Sequence, residues 1–312
     1  MKKDLLTLRD LTADDFEAFF ARSFELKERH KIGIHDRTLQ GKTLGLIFDK
    51  PSTRTRVSFE AAMIQLGGDS LFLNARDSQL IRNEPIEDTA RVLSRYMDGL
   101  VVRTYSQDLL RELAAAASVA VINGLTDLYH PCQVLSDLMT MLEEKGRLDD
   151  LKIAWVGDGN NVAHSWLNAS AILGLHLVLA CPEGYKPKDD ILEQAVNDTA
   201  GRIVVLSDPE QAVRDADVIY TDVWASMGQE SESEHRKEIF KPYQVNEALV
   251  ALAKEDVIVM HCLPAHRGEE ISADALEGMH SVVWDQAENK LHMHKAILEK
   301  FIGQEAVSVN RD

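Results

Sequence analysis

The sequence predicts an α/β chain of two doubly wound parallel-sheet domains. Three observations lead there. Short runs of branched apolar residues recur along the 312 residues and alternate with longer stretches of helical period. The runs are apolar throughout, as strands covered on both faces must be. The rhythm also stops once, in the polar segment 143–150, and then restarts, which splits a chain of this length into two domains.

Taken in order, Thr12 with Asp15 reads as a capping pair opening a helix whose Phe16, Phe20 and Phe24 form an apolar stripe. Residues 44–48, 71–73, 100–102 and 119–122 are expected strands, and 57–66, 86–97 and 109–117 the helices between them. Pro131 opens a further helix over 134–144. The second series places strands at 153–156, 177–180, 203–206, 218–220, 257–260 and 282–284, and a last helix at 287–301. The polar, acidic stretch 226–236 interrupts this rhythm and reads as a mobile loop. The expected domains are 1–145, with the C-terminal stretch 287–312 packing back on it, and 146–286.

Composition narrows the function. With 34 basic and 51 acidic side chains the formal charge is −17, which argues against a nucleic-acid backbone or an anionic membrane surface and favours a small substrate. No apolar run has the length of a bilayer span and no export signal is read at the N-terminus, so a cytoplasmic protein is expected. Cys132, Cys181 and Cys262 are odd in number and lack a CxxC pair, so neither disulfides nor a zinc site is expected.

In open parallel sheets ligands sit beyond the carboxyl ends of the strands. The first strand is followed by Pro51-Ser52-Thr53-Arg54-Thr55-Arg56. A helix entry with free N–H groups, hydroxyls, two guanidinium groups and no acid after Asp49 is a seat for phosphate. Arg103 and the segment His130-Pro131-Cys132-Gln133 follow later strands of the same series, where a histidine and a glutamine could hold a carbonyl and an amide. The second series opens Gly157-Asp158-Gly159-Asn160-Asn161. As a dinucleotide fingerprint this fails, because Val162 replaces the third small residue and the next strand ends Ala180-Cys181-Pro182 without an acid. No cofactor is expected. Asn160 and Asn161 instead offer amides for an amino acid, Asp222 a carboxylate for an ammonium, and Cys262 a desolvated thiol.

Together these segments resemble the aspartate/ornithine carbamoyltransferase family. Ser52-Thr53-Arg54-Thr55-Arg56 and His130-Pro131-Cys132-Gln133 are similar to its carbamoyl-phosphate motifs. Asp222-Val223-Trp224-Ala225-Ser226-Met227-Gly228 and His261-Cys262-Leu263-Pro264 are similar to the ornithine-side motifs, which the aspartate enzymes lack. The resemblance runs from Phe48 to about Leu298 and implies transfer of a carbamoyl group from carbamoyl phosphate to the δ-amine of ornithine, without metal. It implies an active site in the cleft between the two domains, and a homotrimer with sites at subunit interfaces. Ser52, Thr53, Arg54, Thr55, Arg103, His130 and Gln133 are then expected on carbamoyl phosphate, with Gln79 reaching a neighbouring subunit's site. Asn161, Asp222, Ser226 and Met227 are expected on ornithine, and Cys262 and Leu263 between the substrates. Arg54, Arg103, His130 and Cys262 are the expected catalytic groups.

The chain departs from the family pattern twice. Ile81-Arg82-Asn83 follows Gln79-Leu80 where glycines are usual, and Lys290 stands where the family has arginine. An ammonium supplies a point charge but not a planar fork. The residues leave two alternatives open: a transferase for another amine, such as putrescine or an acylated ornithine, and a non-catalytic relative that binds or regulates.

Overall fold

A computed structural model of the chain describes residues 4–74, 84–199, 201–225 and 233–303. After a 3-10 turn at Leu8–Asp10 come α1 (Ala13–Lys31), β1 (Thr43–Phe48), α2 (Thr53–Gln65), β2 (Asp69–Asn74), α3 (Ile86–Leu93), β3 (Gly99–Arg103), α4 (Gln107–Ala116), β4 (Ala120–Leu125) and α5 (Pro131–Lys145). The second series is β5 (Lys152–Val156), α6 (Asn161–Leu173), β6 (His176–Ala180), α7 (Asp189–Asp198), β7 (Arg202–Leu206), α8 (Pro209–Val213) and β8 (Val218–Thr221). It continues through α9 (Ser233–Phe240), α10 (Glu247–Val250), β9 (Ile258–His261), α11 (Ala273–Glu277) and α12 (Val283–Ile302).

The two expected sheets are both present and parallel, in the orders β2-β1-β3-β4 and β7-β6-β5-β8-β9. In the first, the order reverses between β1 and β3; in the second, between β5 and β8. At such a point successive connections leave on opposite faces and open a crevice at the carboxyl ends, where a ligand can reach the backbone. The chain forms two compact units, one containing 17–124 with 4–6 and 291–303, the other 7–16 and 125–290. Each has its own apolar core. Ile47, Leu100, Val102, Leu110, Leu113 and Val121 pack in the first, and Ala154, Val156, Ile219, Val245, Val259 and Ile271 in the second. Methyl-rich residues on both faces of every central strand explain why the strands read as unbroken apolar runs.

The Thr12 and Asp15 pair caps α1 as expected: Asp15 accepts from the Thr12 N–H at 2.9 Å and Thr12 Oγ1 accepts from the Asp15 N–H at 3.3 Å. Of the aromatic stripe, Phe16 and Phe20 are buried, Phe24 is half-buried, and Phe19 joins the buried face instead.

Two expectations are corrected. Residues 282–284 are not a strand. The backbone touches β9 through one bridge, Val259 with Ser281, and α12 starts at Val283. Its buried positions Gln286, Asn289, Lys290, Met293 and Ile297 have helical spacing, but three are polar, which hid the period from an apolar reading. The polar loop expected over 226–236 is helical from Ser233, and Arg236 is buried; the rest of that loop, 226–232, lies outside the described residues.

Candidate functional site

The first unit contributes a helix start and an arginine. Phe48 and Arg103 are register partners at the ends of β1 and β3, and the Asp49 N–H donates to the Arg103 carbonyl at 2.8 Å. Arg103 is therefore the last strand residue at the switch point, and it is buried. The turn after β1 delivers Ser52 as the N-cap of α2, its Oγ accepting from the Thr55 N–H at 3.3 Å. The first turn of α2 holds no acid, so the partial positive charge of the helix end is not neutralised there. Thr53 and Arg54 are exposed on this turn and Thr55 is buried. Arg56, read from sequence as a second guanidinium of the seat, is committed elsewhere: it pairs with Glu60 at 2.9 Å and lies over the Phe72 ring at 3.7 Å. The helix is steadied by His294, which stacks on Phe59 at 3.7 Å with its Nδ1 2.9 Å from Ser58 Oγ.

The second unit supplies the remaining described residues. His130 occupies the N-cap position of α5 with Pro131 next, and its N–H donates to Ser165 Oγ at 2.8 Å. His130 and Gln133 are both buried. Lys290 is buried too, and its Nζ donates to Gln133 Oε1 at 2.8 Å. It is therefore not the solvated charge that a lysine on a terminal helix usually is.

At the second switch point Gly157 to Asn160 lie between β5 and α6, and Asn161 opens the helix. Gly159 is obligatory, since a Cβ there would meet Pro187 N at 2.2 Å. Asn160 is the helix cap, accepting from Val162 and Ala163 N–H groups at 2.9 and 3.2 Å, while its Nδ2 donates to Asp222 Oδ2 at 2.8 Å. Asn161 donates to the Thr126 carbonyl at 2.6 Å. Asp222 follows β8 and Cys262 follows β9, so both sit at strand ends; Cys262 Sγ donates to Asp222 Oδ1 at 3.0 Å. Burial first, then the adjacent carboxylate charge and the hydrogen bond to it, push the Cys262 thiol well above its ordinary range. The sulfur is thus a neutral donor, and the carboxylate is the acceptor of the pair. Leu263 is half-buried with φ of +57°, and its N–H donates to His261 Nδ1 at 2.8 Å.

Sequence reasoning missed three buried carboxyl groups near these residues. Asp158 is held up at about 7, chiefly by burial, while Arg236, paired with it at 3.2 Å, lowers it and Asp222 raises it. Glu270, fully buried, accepts from His261 Nε2–H at 3.1 Å, which leaves His261 Nδ1 to receive the Leu263 N–H. Asp137, one turn after Gln133 on α5, accepts its amide at 2.8 Å. Only the last left a signal, the four-residue spacing of Gln133 and Asp137 on one helix face.

Asp222, His261 and Cys262 bring potential metal ligands within 4.8 Å of one another, as do His266, Glu269 and Glu270. Both His261 nitrogens already have partners, so a metal on the first trio would have to displace one. Gln79, Ser226 and Met227 lie outside the described residues.

Residues 3–143 match the carbamoyl-P binding domain, and 149–301 the Asp/Orn binding domain, of the aspartate/ornithine carbamoyltransferases. An ornithine carbamoyltransferase of Syntrophus aciditrophicus is 58% identical over 302 residues, covering 97% of this chain and 100% of the relative. An anabolic one from Pyrococcus furiosus is 54% identical over 304 residues, with 96% of each chain covered. The solved ornithine carbamoyltransferase structure from Pyrococcus furiosus superposes with a TM-score of 0.93 at 53% identity, over 97% of this chain and 98% of that one. Family models that together span nearly the whole chain, and relatives matched over their full length, leave one conclusion: the chain belongs to the aspartate/ornithine carbamoyltransferase family, on its ornithine carbamoyltransferase branch.

Proposed function

We infer that the chain transfers the carbamoyl group of carbamoyl phosphate to the δ-amine of L-ornithine, giving L-citrulline and phosphate in arginine biosynthesis. The observation that carries this reading is that each of the two units holds a strand-end site, and that these sites are of opposite character. One is a donor-rich, acid-free helix start beside a buried arginine, the other a carboxylate flanked by an amide and a neutral thiol. The first suits a phosphate dianion and the second an amino acid's ammonium.

In this reading Ser52, Thr53, Arg54, Thr55 and Arg103 hold the phosphate, and His130 polarises the carbonyl oxygen. Gln133, Lys290, Cys262 and Leu263 hold the carbamoyl end. Asn161, Asp222, Ser226 and Met227 hold ornithine. The free-base δ-nitrogen attacks the carbonyl carbon, the bond from that carbon to the phosphate oxygen breaks, and phosphate leaves with the electron pair. Arg54 and Arg103 balance the charge growing on the leaving group. The proton lost by the amine falls to the Asp222 and Cys262 pair, in which the carboxylate accepts. Since carbamoyl phosphate is already activated, positioning and electrostatics supply most of the catalysis. We place the carbamoyl-phosphate domain at 1–145, with 287–312 packing back on it, the ornithine domain at 146–286, and the enzyme in the cytoplasm, a reading supported by three free cysteines.

The direct test follows phosphate release with carbamoyl phosphate and a panel of amines: ornithine, putrescine, N-acetylornithine and aspartate. Turnover with ornithine far above the rest is expected; preference for another amine would move the chain to a different transferase.

Lys290→Ala is expected to lower kcat/KM about tenfold to a hundredfold, because it removes one charge-assisted bond, roughly 1.4–2.7 kcal/mol at 1.36 kcal/mol per decade. Lys290→Arg, which restores the family's residue, should keep or raise it. Parental kinetics for both substrates in Lys290→Ala would remove this residue from the site.

We further propose that the enzyme is a homotrimer in which Gln79 completes a neighbour's site. Refolding a mixture of inactive Arg54→Ala and Gln79→Ala proteins is then expected to restore part of the activity, since some hybrid sites carry both native residues. Mixtures as inactive as either parent would refute the shared site.

A further inference from the structure

Asp137 is fully buried in the second unit, and every hydrogen bond to its carboxylate arrives from a different element or turn. Its Oδ1 accepts from Gln133 Nε2 at 2.8 Å and from Gln286 Nε2 at 2.7 Å; its Oδ2 accepts from the Tyr220 hydroxyl at 2.8 Å. A carboxylate only accepts, so each amide has to turn its nitrogen inward and its oxygen away. The outward oxygens then have fixed duties. Gln133 Oε1 accepts from Lys290 Nζ at 2.8 Å, and Gln286 Oε1 accepts from the His261 N–H at 3.0 Å, the residue before Cys262. Were the Gln133 amide reversed, its NH₂ group would face the ammonium of Lys290, donor against donor.

We propose that Asp137 is a positioning residue: by dictating the orientation of the Gln133 and Gln286 amides it sets Lys290 on one side and the backbone leading to Cys262 on the other. This rests on the carbamoyl-transfer reading, in which Gln133, Lys290 and Cys262 touch carbamoyl phosphate. Asp137 itself touches neither substrate. A low-dielectric interior makes such an arrangement stiff, because any amide flip would strand buried donors and acceptors. It also accounts for a charged residue in the middle of α5: burial pushes the Asp137 carboxyl up, the two glutamines, Tyr220 and Lys290 oppose that rise, and the balance is about 6.

The experiment compares Asp137→Ala with Asp137→Asn, singly and in a Gln133→Ala background. Asparagine keeps an acceptor oxygen for both glutamines and turns its NH₂ toward the Tyr220 hydroxyl, which can rotate to accept. Asp137→Asn is therefore expected within about fivefold of the parental kcat/KM for carbamoyl phosphate. Asp137→Ala is expected to lose about tenfold or more, mainly through a higher KM for carbamoyl phosphate. In the Gln133→Ala background the Asp137→Ala loss should shrink to a few-fold, because the residue acts through that amide. A merely structural carboxylate would give additive losses that follow the thermal unfolding midpoint. Additive losses, a folded Asp137→Ala with parental kinetics, or a folded Asp137→Asn as impaired as Asp137→Ala would each overturn the proposal. Should alanine at 137 fail to fold, the asparagine variant alone still decides, since a loss of more than about tenfold in it refutes positioning by an acceptor. The parent is assayed first with carbamoyl phosphate and ornithine: an inactive parent overturns the carbamoyl-transfer reading itself, whereas an active parent with additive variants overturns only the role of Asp137.

Discussion

Arg54→Ala is expected to lower kcat/KM for carbamoyl phosphate by about two to three orders of magnitude while leaving the fold intact. Arg54 is exposed in the first turn of α2, with Ser52 capping the helix and no acid in that turn. An exposed guanidinium there contributes little to packing, so the unfolding midpoint should barely move. Its contact with a phosphate dianion is charge-assisted, worth roughly 1.5–3 kcal/mol in the ground state. As the bond to phosphate breaks, negative charge concentrates on the leaving oxygens, and a donor aimed at developing charge is worth about 2.7–4 kcal/mol, or 10²–10³ in rate. Arg54→Lys keeps the charge without the fork and should fall between parent and alanine. Product inhibition by inorganic phosphate provides a separate reading of the same contact and should weaken in parallel. Unchanged turnover together with unchanged phosphate inhibition would refute the phosphate seat.

The parts of the molecule that were legible in the sequence are those where apolar period and position along a strand decide the outcome. The strands of both sheets read correctly because all but β2 and β7, which are only partly buried, lie inside the core along almost their whole length, and the switch points follow from strand order once the helices are placed. Arg103, Asp222 and Cys262 could be singled out because each follows directly on such a run. What could not be read is the polar interior. Val282 and Val283 mimic a strand, yet Gln286, Asn289 and Lys290 carry the buried face of α12, and polar residues at core positions defeat a hydrophobic pattern. The same blindness covers Asp137 and Glu270, whose burial is tolerable only because partners distant in sequence satisfy them: Gln286 and Tyr220 for the one, His261 for the other. Arg56 failed in the opposite direction. In sequence it is indistinguishable from Arg54, and only the Phe72 ring and Glu60 show that its guanidinium is already occupied.

Asp222→Asn is the substitution expected to cost the most, about a thousandfold in kcat/KM for ornithine, because it strikes two functions of one carboxylate. Asp222 is buried, and its oxygens accept from Asn160 Nδ2 at 2.8 Å, from Cys262 Sγ at 3.0 Å and from the Val223 N–H at 2.8 Å. These donors fix the carboxylate without neutralising it, so it can hold a substrate ammonium, a charge-assisted contact of roughly 1.5–3 kcal/mol. It is also the acceptor toward which the Cys262 thiol points, and removal of a proton from the attacking amine adds a contribution of about 10²–10⁴ when a positioned base is lost. Asparagine preserves the shape and one acceptor oxygen but neither the negative charge nor the basicity, and its NH₂ group would confront either Asn160 Nδ2 or the thiol. Removing Asp222's charge and its hydrogen bond from Cys262 also takes away two of the causes that raise the thiol, so the sulfur should titrate at lower pH in the variant. The sign is fixed by those causes: a neighbouring anion disfavours the thiolate, and its loss favours it. Alkylation of Cys262 by iodoacetamide across a pH series is therefore expected to speed up at a lower pH in Asp222→Asn than in the parent. Inhibition by phosphate, which reports on the other substrate, should stay within a few-fold. An Asp222→Asn protein with parental ornithine kinetics, or one whose loss is matched by an equal loss of phosphate inhibition, would show that this carboxylate is not the ornithine-side acceptor and would transfer that role to another strand end.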